Sequence, residues 1–424
     1  MGIVGANPPM KLLTFLGTGT YLETTYFWQD QECTTCFSPL ATCKFLKPQT
    51  LVVFLTDEAR QLVFPDFQTA LPKELTVIPK SIPLGKDEQQ LWQIFEQVSG
   101  AVEEGEEVAF DITHGLRSFP YIGLLVAAFL QSGLGISLRA VLYGAYDVGD
   151  QSTKPSRTPM FDLTPMLALL EWSNASERFN RTGDSRLLSQ LIKKQRKSLA
   201  EQAQGDKTIL DQVGNLASFA GSLETISNSL RLIRPYQAMQ TIYELPARAE
   251  KAKPSLQSSA PAQPFAQLLQ KILETYQPLA LENPLDDQNI DAMLRVSRQM
   301  VHWYAEHDQW VQAAALSREW LESWIIWQLD PSQIYSRDHR EKMGEKIGKD
   351  ADNYRRCKKN NQKFTPECLG DFPDAEKILS LWLSLRDVRN DILHAGMREN
   401  AAPADTLIKN LQQYIDDLDQ LPIH

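Results

Sequence analysis

The sequence predicts an α/β amino-terminal domain with a Rossmann-like parallel sheet, followed by an all-α carboxyl-terminal half. Two observations support this prediction. Up to about residue 165, short apolar runs alternate with amphipathic stretches, which is typical of βαβ units and of a parallel sheet covered on both faces. Beyond that point strand signals almost vanish, and apolar residues recur at helical spacing.

Five apolar runs predict the strands of the sheet: Lys11–Leu16, Leu51–Leu55, Leu75–Ile78, Glu107–Ile112 and Ser137–Tyr143. The amphipathic stretches between them predict helices over Asp87–Val102 and Tyr121–Gln131. The uncharged stretch Ser118–Leu138 has the length of a membrane span. Because its second half carries polar residues and glycines, a buried helix followed by a buried strand is favoured.

The composition excludes several classes of protein. Of 424 residues, 43 are Lys or Arg and 53 are Asp or Glu, so the formal net charge is −10. A protein that coats duplex nucleic acid by bulk charge is therefore excluded, whereas a local basic patch can still bind RNA. Five cysteines in so long a chain do not form a disulfide framework. The first residues lack the pattern of a signal peptide, so we expect a cytoplasmic protein.

Two turns at the carboxyl ends of predicted strands are candidate ligand sites. The first follows the first strand and contains Gly17, Thr18, Gly19 and Tyr21. Glycines let backbone N–H groups approach a phosphate, although many strand–helix turns need glycine for geometry alone. Leu22 replaces the third glycine of the dinucleotide fingerprint, so a dinucleotide site is not predicted.

The second turn follows the fourth predicted strand, within Asp111–Ser118. Its candidate residues at a helix N-terminus suit an anionic ligand, and a structural helix cap is the alternative: Thr113, His114, Gly115, Arg117 and Ser118. Because both strands end at the same edge of the sheet, the two turns should lie side by side.

The cysteines near the amino terminus do not predict a metal site. Cys33, Cys36 and Cys43 supply only three thiols, and no histidine lies nearby to complete four ligands. The segment around the first two also resembles a loop rather than the strand-to-helix junction that redox chemistry requires. We therefore expect incidental thiols and no metal.

One motif stands out in the helical half. Arg389, Asn390 and His394 lie on an amphipathic helix, where Asn390 and His394 share a face. Arginine binds phosphate and histidine titrates near neutrality, so the pair suits phosphodiester cleavage. The structural alternative is a histidine at a helix C-terminus, before a stop at Ala395 and Gly396. His302 and His307 are five apart, which favours a core or surface role over metal binding.

The stretch Arg337–Lys363 is basic within an acidic protein. It contains ten Lys or Arg against five Asp or Glu. A solvated helix is one interpretation, and a track for RNA phosphates is the other. Four of its cations are candidate RNA contacts: Arg355, Arg356, Lys358 and Lys359.

Several motifs occur in an order that resembles a known family. FLGTGTY, VVFLTDEA, FDITHGLRSFP, LYGAYD, TPMFDLTP and LLEWSNASERFNRTGD are similar to the CRISPR-associated Rossmann-fold (CARF) proteins of type III CRISPR systems. QAAALSREWLESW and LRDVRNDILHAGMR resemble the HEPN ribonuclease domain of the same ancillary nucleases, whose hallmark is R-x4-H. The resemblance covers roughly residues 10–180 and 285–400. Residues 1–9 precede the usual start, and the basic stretch Arg337–Lys363 is outside the motif set.

The resemblance implies three regions: a CARF domain over 10–165, a helical middle region over 166–284 and a HEPN domain over 285–424. It implies an antiviral endoribonuclease activated by a cyclic oligoadenylate, a tetra- or hexa-adenylate, bound across the two-fold axis of a homodimer. The cut would use the 2′-hydroxyl of single-stranded RNA without metal or cofactor, leave a 2′,3′-cyclic phosphate and spare DNA. The alternatives are a CARF sensor whose HEPN fold is only a dimerisation scaffold, and a CARF domain that also degrades its ligand.

Overall fold

The computed structural model describes residues 9–115, 118–258, 262–370, 372, 374–397 and 399–423. The chain divides into two compact units, Met1–Ala168 and Leu169–His424. The first unit contains a mostly parallel sheet and the second is helical, so the predicted fold class is confirmed.

The described part of the first unit forms one sheet of eight strands: β1 (Met10–Leu16), β2 (Thr24–Trp28), β3 (Gln31–Thr35), β4 (Thr50–Leu55), β5 (Thr76–Ser81), β6 (Glu107–Asp111), β7 (Ser137–Gly144) and β8 (Ser156–Asp162). Their spatial order is β3-β2-β8-β7-β6-β1-β4-β5. The five strands predicted from sequence correspond to β1, β4, β5, β6 and β7, and these pair in parallel. β1 lies between β4 and β6, where the strand order reverses, and this reversal is where such sheets bind ligands.

Strands β2, β3 and β8 are absent from the sequence-based prediction. β2 and β3 form an antiparallel hairpin, and β8 joins it to the antiparallel neighbour β7. The prediction of a loop around Cys33 was wrong, because Cys33 lies within β3. The periodicity gave no signal here because the buried positions of β8 include Ser156 and Thr158, whose hydroxyls hydrogen bond to the Thr24 hydroxyl instead of presenting an apolar face.

Helices cover both faces of the sheet: α1 (Ser38–Leu46), α2 (Asp57–Leu62), α3 (Phe64–Thr69), α4 (Glu88–Ser99) and α5 (Ser118–Gly133). On one face Phe15 and Phe54 pack against Phe119 and Val126 of α5. On the other face the opposite side chains of β1 and β4 pack against α1, α2 and α3. The two predicted helices correspond to α4 and α5. Across the described residues, the structure contains no helix with the length and apolarity needed to cross a membrane.

The helices after β8 are α6 (Thr164–Thr182), α7 (Arg186–Gln202), α8 (Lys207–Arg231), α9 (Pro235–Gln257), α10 (Gln263–Tyr276), α11 (Ile290–Glu306), α12 (Trp310–Leu329), α13 (Arg337–Lys359), α14 (Ala375–Leu393) and α15 (Ala404–Asp419). The stretch Lys251–Gln263 is rich in proline, serine and alanine, a composition that predicts a loop. In its first part this prediction is wrong, because α9 continues through Pro246 and Pro254 to Gln257. The buried side chains of Ala252 and Leu256 hold this last segment in the core, so packing overrides the local proline signal.

The carboxyl-terminal helices pack around buried aromatic residues. α14 lies against α12, α13 and α15, with Trp382 almost fully buried. Arg318 of α12 stacks over the Trp382 ring at 4.1 Å. Trp320 of α12 is also buried and donates its indole N–H to the Leu294 carbonyl of α11 at 2.7 Å. These contacts fix α14, which carries the Arg389–His394 motif, within the helical unit.

Candidate functional site

The two glycine-containing turns of the α/β unit meet at the carboxyl edge of the sheet. Gly17 follows β1 and Gly115 lies in the turn after β6, and the two strands are hydrogen-bonded neighbours. A Cβ atom on Gly17 would lie 3.2 Å from the Cα of Gly115, so the backbones are in direct contact. The turns therefore lie side by side, as expected from the sequence.

A cavity of about 270 Å³ opens beside these turns. Three predicted residues line it: Tyr21, Thr113 and His114. The remaining lining residues were not identified from sequence, and they are Thr20, Leu22, Tyr26, Cys36, Tyr143, Gly144, Tyr146 and Asp147. The segment Tyr143–Asp147 includes the end of β7 and the residues after it, at the same edge of the sheet as the turns after β1 and β6. Glycine and tyrosine at the end of a predicted strand, in the motif LYGAYD, were the available signal for this third wall.

The Asp111 carboxylate organises the floor of this region. It is fully buried at the end of β6, and its Oδ2 accepts hydrogen bonds from the Ser38 hydroxyl at 2.5 Å and the Thr42 hydroxyl at 2.6 Å. Its Oδ1 accepts the Thr113 N–H at 3.0 Å. The Thr113 hydroxyl in turn accepts the Gly144 N–H at 2.8 Å. This network joins α1, β6 and the end of β7, and so holds two walls of the cavity in register.

His114 is held as a neutral imidazole. Its Nε2 accepts the backbone N–H of Ser38 at 3.0 Å, which assigns the ring proton to Nδ1. Burial lowers the pKa of His114 to about 4, against the opposing influence of the Asp111 carboxylate, which raises it. A neutral His114 supplies no positive charge for phosphate at pH 7.

Tyr21 packs between two rings. Its ring centroid lies 4.4 Å from that of His114, in an edge-on arrangement, and 5.2 Å from that of Phe37. Its hydroxyl donates to the Gly17 carbonyl and accepts the Gly17 N–H, both at 2.9 Å. Burial raises the pKa of Tyr21. The ring is therefore a rigid, neutral wall of the cavity, tied to the turn after β1.

The other predicted ligand residues occupy different positions at the same edge. Thr18 and Gly19 are exposed, and a Cβ on Gly19 would meet no atom within 4 Å. Gly115 has a φ of +113°, which favours glycine, and a Cβ there would lie 2.7 Å from the Phe119 ring. Ser118 is the first residue of α5. Arg117 lies outside the described residues.

The charge around the cavity comes from few groups. Among the described lining residues the charged side chain at pH 7 is that of Asp147, which is exposed. The N-terminus of α5 begins directly after the second turn and contributes the partial positive charge of a helix dipole. An anionic ligand at this edge would thus be held mainly by backbone N–H groups.

The predicted motif of the helical half lies at the end of α14. Arg389 and Asn390 are half-buried on its last turn, and the Arg389 guanidinium donates to the Asn390 Oδ1 at 3.1 Å. His394 is exposed and follows the last helical residue. Its N–H bonds to the Asn390 carbonyl at 2.9 Å.

The backbone after His394 stops the helix at the predicted residues. Ala395 and Gly396 both have positive φ, +56° and +62°. The Gly396 N–H bonds to the Asp391 carbonyl at 3.1 Å, and the Ala395 N–H to the Ile392 carbonyl at 3.0 Å, which together form a Schellman cap. The cap fixes the backbone of His394 while its ring remains in solvent.

The basic helix α13 is only partly free to bind a polyanion. Arg355 forms an ion pair with Asp387 of α14, and Lys358 lies over the Tyr354 ring at 5.4 Å. Arg356 and Lys359 are exposed on the last turn. The pairing with Asp387 brings this turn next to the residues that precede Arg389.

The remaining candidates are three cysteines and two histidines. Cys33, Cys36 and Cys43 are free thiols, and Cys43 is buried. His302 contacts Asp419 at 3.0 Å, and His307 stacks on Trp303 at 4.1 Å. Within the described ranges, the structure contains no group of three His, Cys, Asp or Glu side chains that could hold a metal ion.

Comparison with known proteins identifies the middle of the chain. Residues 168–279 match a family model described as the second domain of CRISPR-associated protein MJ1674. Over 159 residues, 37% of the chain, the sequence is 26% identical to CRISPR-associated protein MJ1674 of Methanocaldococcus jannaschii, and the match covers 23% of that relative's length.

The chain is similar to a CRISPR-associated protein. This similarity supports an association with CRISPR systems, as the motifs implied. The region that matches the second domain of MJ1674 runs from within α6 to the end of α10 and the short turn after it. It includes neither the turns after β1 and β6 nor the residues Arg389, Asn390 and His394. The chemistry of both sites therefore has to be argued from their own geometry.

Proposed function

We propose that this protein is a CRISPR-defence endoribonuclease that cuts single-stranded RNA without a metal ion when a cyclic oligoadenylate binds to its α/β unit. The observation that carries the proposal is the exposed His394 beside the Arg389–Asn390 pair at a capped helix end. A scaffold needs neither an arginine nor a histidine at that position, whereas phosphodiester cleavage uses both.

The α/β unit offers a site of the required kind. Its cavity lies where the strand order reverses, and tyrosine rings line it: Tyr21, Tyr26, Tyr143 and Tyr146. Aromatic walls suit adenine bases, and the backbone N–H groups at the start of α5 suit phosphates. Because the ligand is a symmetric ring, two copies of the same turns would hold it in a homodimer.

Exposed apolar side chains support a second copy at both sites. On α5, Tyr121, Leu125 and Phe129 form one stripe, exposed at 73%, 61% and 50%. Beside His394, Leu393 and Met397 are exposed at 48% and 89%. Apolar side chains grouped in this way are typical of surfaces that another protein covers. In the proposed dimer two copies of the α14 end would face each other and form one groove for RNA.

The proposed reaction uses the 2′-hydroxyl of the substrate. This oxygen attacks the adjacent phosphorus, and the bond to the 5′-oxygen of the next nucleotide breaks. Arg389 stabilises the negative charge that develops on the phosphoryl oxygens. His394 transfers a proton as general acid or base, and Asn390, which accepts a hydrogen bond from Arg389, orients that guanidinium or a phosphate oxygen. The products are a 2′,3′-cyclic phosphate and a 5′-hydroxyl end, so DNA is not a substrate.

The test replaces His394 with alanine. We expect the rate of ligand-activated RNA cleavage to fall by about 10²–10⁴-fold, because a proton-transfer group is lost. Arg389→Ala should lower it by about 10²–10³-fold, through loss of charge stabilisation. Combining the two changes should cost much less than the product of the single losses, because both residues serve one transition state. The measurement is cleavage of a labelled single-stranded RNA with and without cyclic tetra-adenylate or hexa-adenylate.

Two controls make the test decisive. His302→Ala removes another histidine of the same unit, one that contacts Asp419, and should leave cleavage unchanged. Thermal melting of each variant separates a dead enzyme from an unfolded one. If the His394→Ala protein melts normally and still cuts RNA, the ribonuclease assignment is wrong and a sensor with a dimerisation scaffold replaces it. If the wild-type rate is equal with and without every ring tested, the activation by cyclic oligoadenylate is wrong.

A further inference from the structure

The densest positive charge of the chain lies outside both sites. Residues 178–197 contain seven Lys or Arg and one acidic residue, in a protein of net charge −10. The cations belong to the end of α6 and to α7, and they are Arg178, Arg181, Arg186, Lys193, Lys194, Arg196 and Lys197. We call these seven residues the α7 basic surface.

The geometry of α7 turns three of these cations to one side. Leu188 and Ile192 are fully buried, and α7 packs with this face on α8. At 100° per residue, Arg186, Lys193 and Lys197 lie opposite that buried face, one to two turns apart. The three side chains are thus presented together to solvent along a helix of 17 residues, about 25 Å long.

Carboxylate partners neutralise only part of this charge. Arg178 and Arg186 share the single carboxylate of Asp184, and the pKa of that carboxyl is held well below its usual range by the hydrogen bonds and charge of these arginines. Arg181 pairs with Glu177, and Lys193 with Glu224. Across the described residues Lys194, Arg196 and Lys197 are exposed and form no ion pair. Seven cations against three carboxylate partners leave a surplus of four positive charges.

Two other features of the helical unit are weaker candidates for a polyanion. On α13 the cations are interspersed with acidic residues, five of which lie within Arg337–Lys363, whereas residues 178–197 contain one. A cavity of about 820 Å³ next to Arg178 is lined by three cations and three carboxylates, which balance: Arg178, Arg181 and Lys271 against Glu177, Glu306 and Asp308. Neither feature has so few acidic residues for its number of cations as residues 178–197.

We propose that the α7 basic surface binds the phosphate backbone of single-stranded RNA and holds a long substrate away from the cleavage motif. The choice of RNA rests on the proposed function, whereas the choice of a polyanion rests on the charge surplus. α7 packs on α8, whereas α14, which carries the cleavage motif, packs on α12, α13 and α15. RNA contacts on α7 therefore raise the affinity for the substrate and do not take part in the cleavage step. Variants should therefore raise KM for long RNA and leave kcat and the cutting of short RNA unchanged.

The experiment measures RNA binding to the full-length His394→Ala protein, so that the bound RNA is not cleaved during the measurement. The test variant adds Lys194→Gln, Arg196→Gln and Lys197→Gln. The matched control variant adds Lys207→Gln, Lys251→Gln and Lys409→Gln, which remove the same charge from three dispersed, exposed positions. A charge-preserving variant carries Lys194→Arg, Arg196→Lys and Lys197→Arg. The probe is labelled single-stranded RNA of about 30 nucleotides, compared with one of about 5 nucleotides.

We expect the test variant to bind the longer RNA about 10- to 100-fold more weakly in 0.1 M salt, because each lost phosphate contact lowers the salt slope by about 0.7. The slope of log Kd against log salt should fall by about 2. The dispersed and charge-preserving variants should bind as the parent does. Equal weakening by the dispersed variant would show a bulk charge effect and would overturn the proposal, as would unchanged binding by the test variant.

Two further results would separate this proposal from an anionic membrane site and from the proposed ribonuclease activity. If the test variant loses binding to phosphatidylglycerol vesicles but not to RNA, the surface binds an anionic membrane and the proposal fails. If wild-type protein cuts no RNA with any ring, while the test variant still loses RNA binding, the proposed ribonuclease fails and the α7 basic surface stands. Failure of the surface and failure of the enzyme are thus separable.

Discussion

Protonation of His114 should destabilise the α/β unit in mild acid. In the folded protein the pKa of His114 is lowered to about 4 from an ordinary value of 6.5. Between these two values the unfolded chain binds a proton that the folded chain does not. Stability contributed by the neutral ring is therefore complete above pH 6.5, and it is lost as the pH falls toward 4.

The magnitude follows from the shift. Each pKa unit corresponds to about 1.4 kcal/mol, so the full loss is about 3 kcal/mol, and about 2 kcal/mol of it is reached at pH 5. The physical cause of the lowered pKa is burial, which disfavours the imidazolium. The geometry agrees, because the Ser38 N–H needs a lone pair on Nε2. The Asp111 carboxylate reduces the effect because it attracts a proton to the ring.

The assay is hydrogen exchange of the amides of β1 and β6, which reports opening of the α/β unit separately from the helical unit. Wild-type protein is compared with His114→Gln at pH 8 and pH 5, since the glutamine oxygen can still accept the Ser38 N–H. We expect the opening free energy to fall by about 2 kcal/mol more in wild type than in His114→Gln. Equal falls in the two proteins would refute the assignment of a neutral, buried imidazole.

Two more predictions concern ligand and RNA. Gly19→Trp should raise the concentration of cyclic oligoadenylate needed for activation by about tenfold or more, without a change in melting temperature. The reason is that a Cβ at this exposed position meets no atom within 4 Å, so the added ring can be accommodated at the ligand edge without displacing the turn. An unchanged activation constant would place the ligand elsewhere. Gly214→Trp is the matched control, because Gly214 is exposed on α8 and a Cβ there also meets no atom within 4 Å. The other change neutralises four cations of α13: Arg355, Arg356, Lys358 and Lys359. It should raise the RNA concentration needed for half-maximal binding and flatten the salt dependence of binding, both measured by fluorescence anisotropy. No change in either quantity would indicate that α13 is a solvated helix.

The sequence was sufficient for the parallel core of the sheet, because its strands are continuous apolar runs such as Leu51–Leu55. It was insufficient for β3, an edge strand of sequence QECTT with no apolar alternation. β8 was missed because its buried Ser156 and Thr158 are satisfied by Thr24, a residue more than 130 positions away. Hydrogen bonds between such distant residues leave no local pattern.

The candidate site was predictable to a similar degree. Glycines and polar residues at the strand ends located the turns after β1 and β6, and parallel pairing placed them together. The wall formed by Tyr143–Asp147 was missed because its importance depends on β7 lying next to β6. The role of His114 was also hidden, since its Nε2 is occupied by the Ser38 amide, 76 residues earlier in the chain.

The contact between Gly17 and Gly115 divides the ligand edge into a part that must stay constant and a part that is free to vary during evolution. A side chain on Gly17 would push against the Gly115 backbone, whose Cα lies 3.2 Å from the added Cβ. A side chain on Gly115 would collide with the Phe119 ring, 2.7 Å from the added Cβ. Thr18, Gly19 and Thr20 follow Gly17 in the same turn and are exposed. Relatives that respond to different ligands should therefore keep small residues at the contact and differ at these three outer positions. New ligand preferences can then arise without rebuilding the sheet beneath.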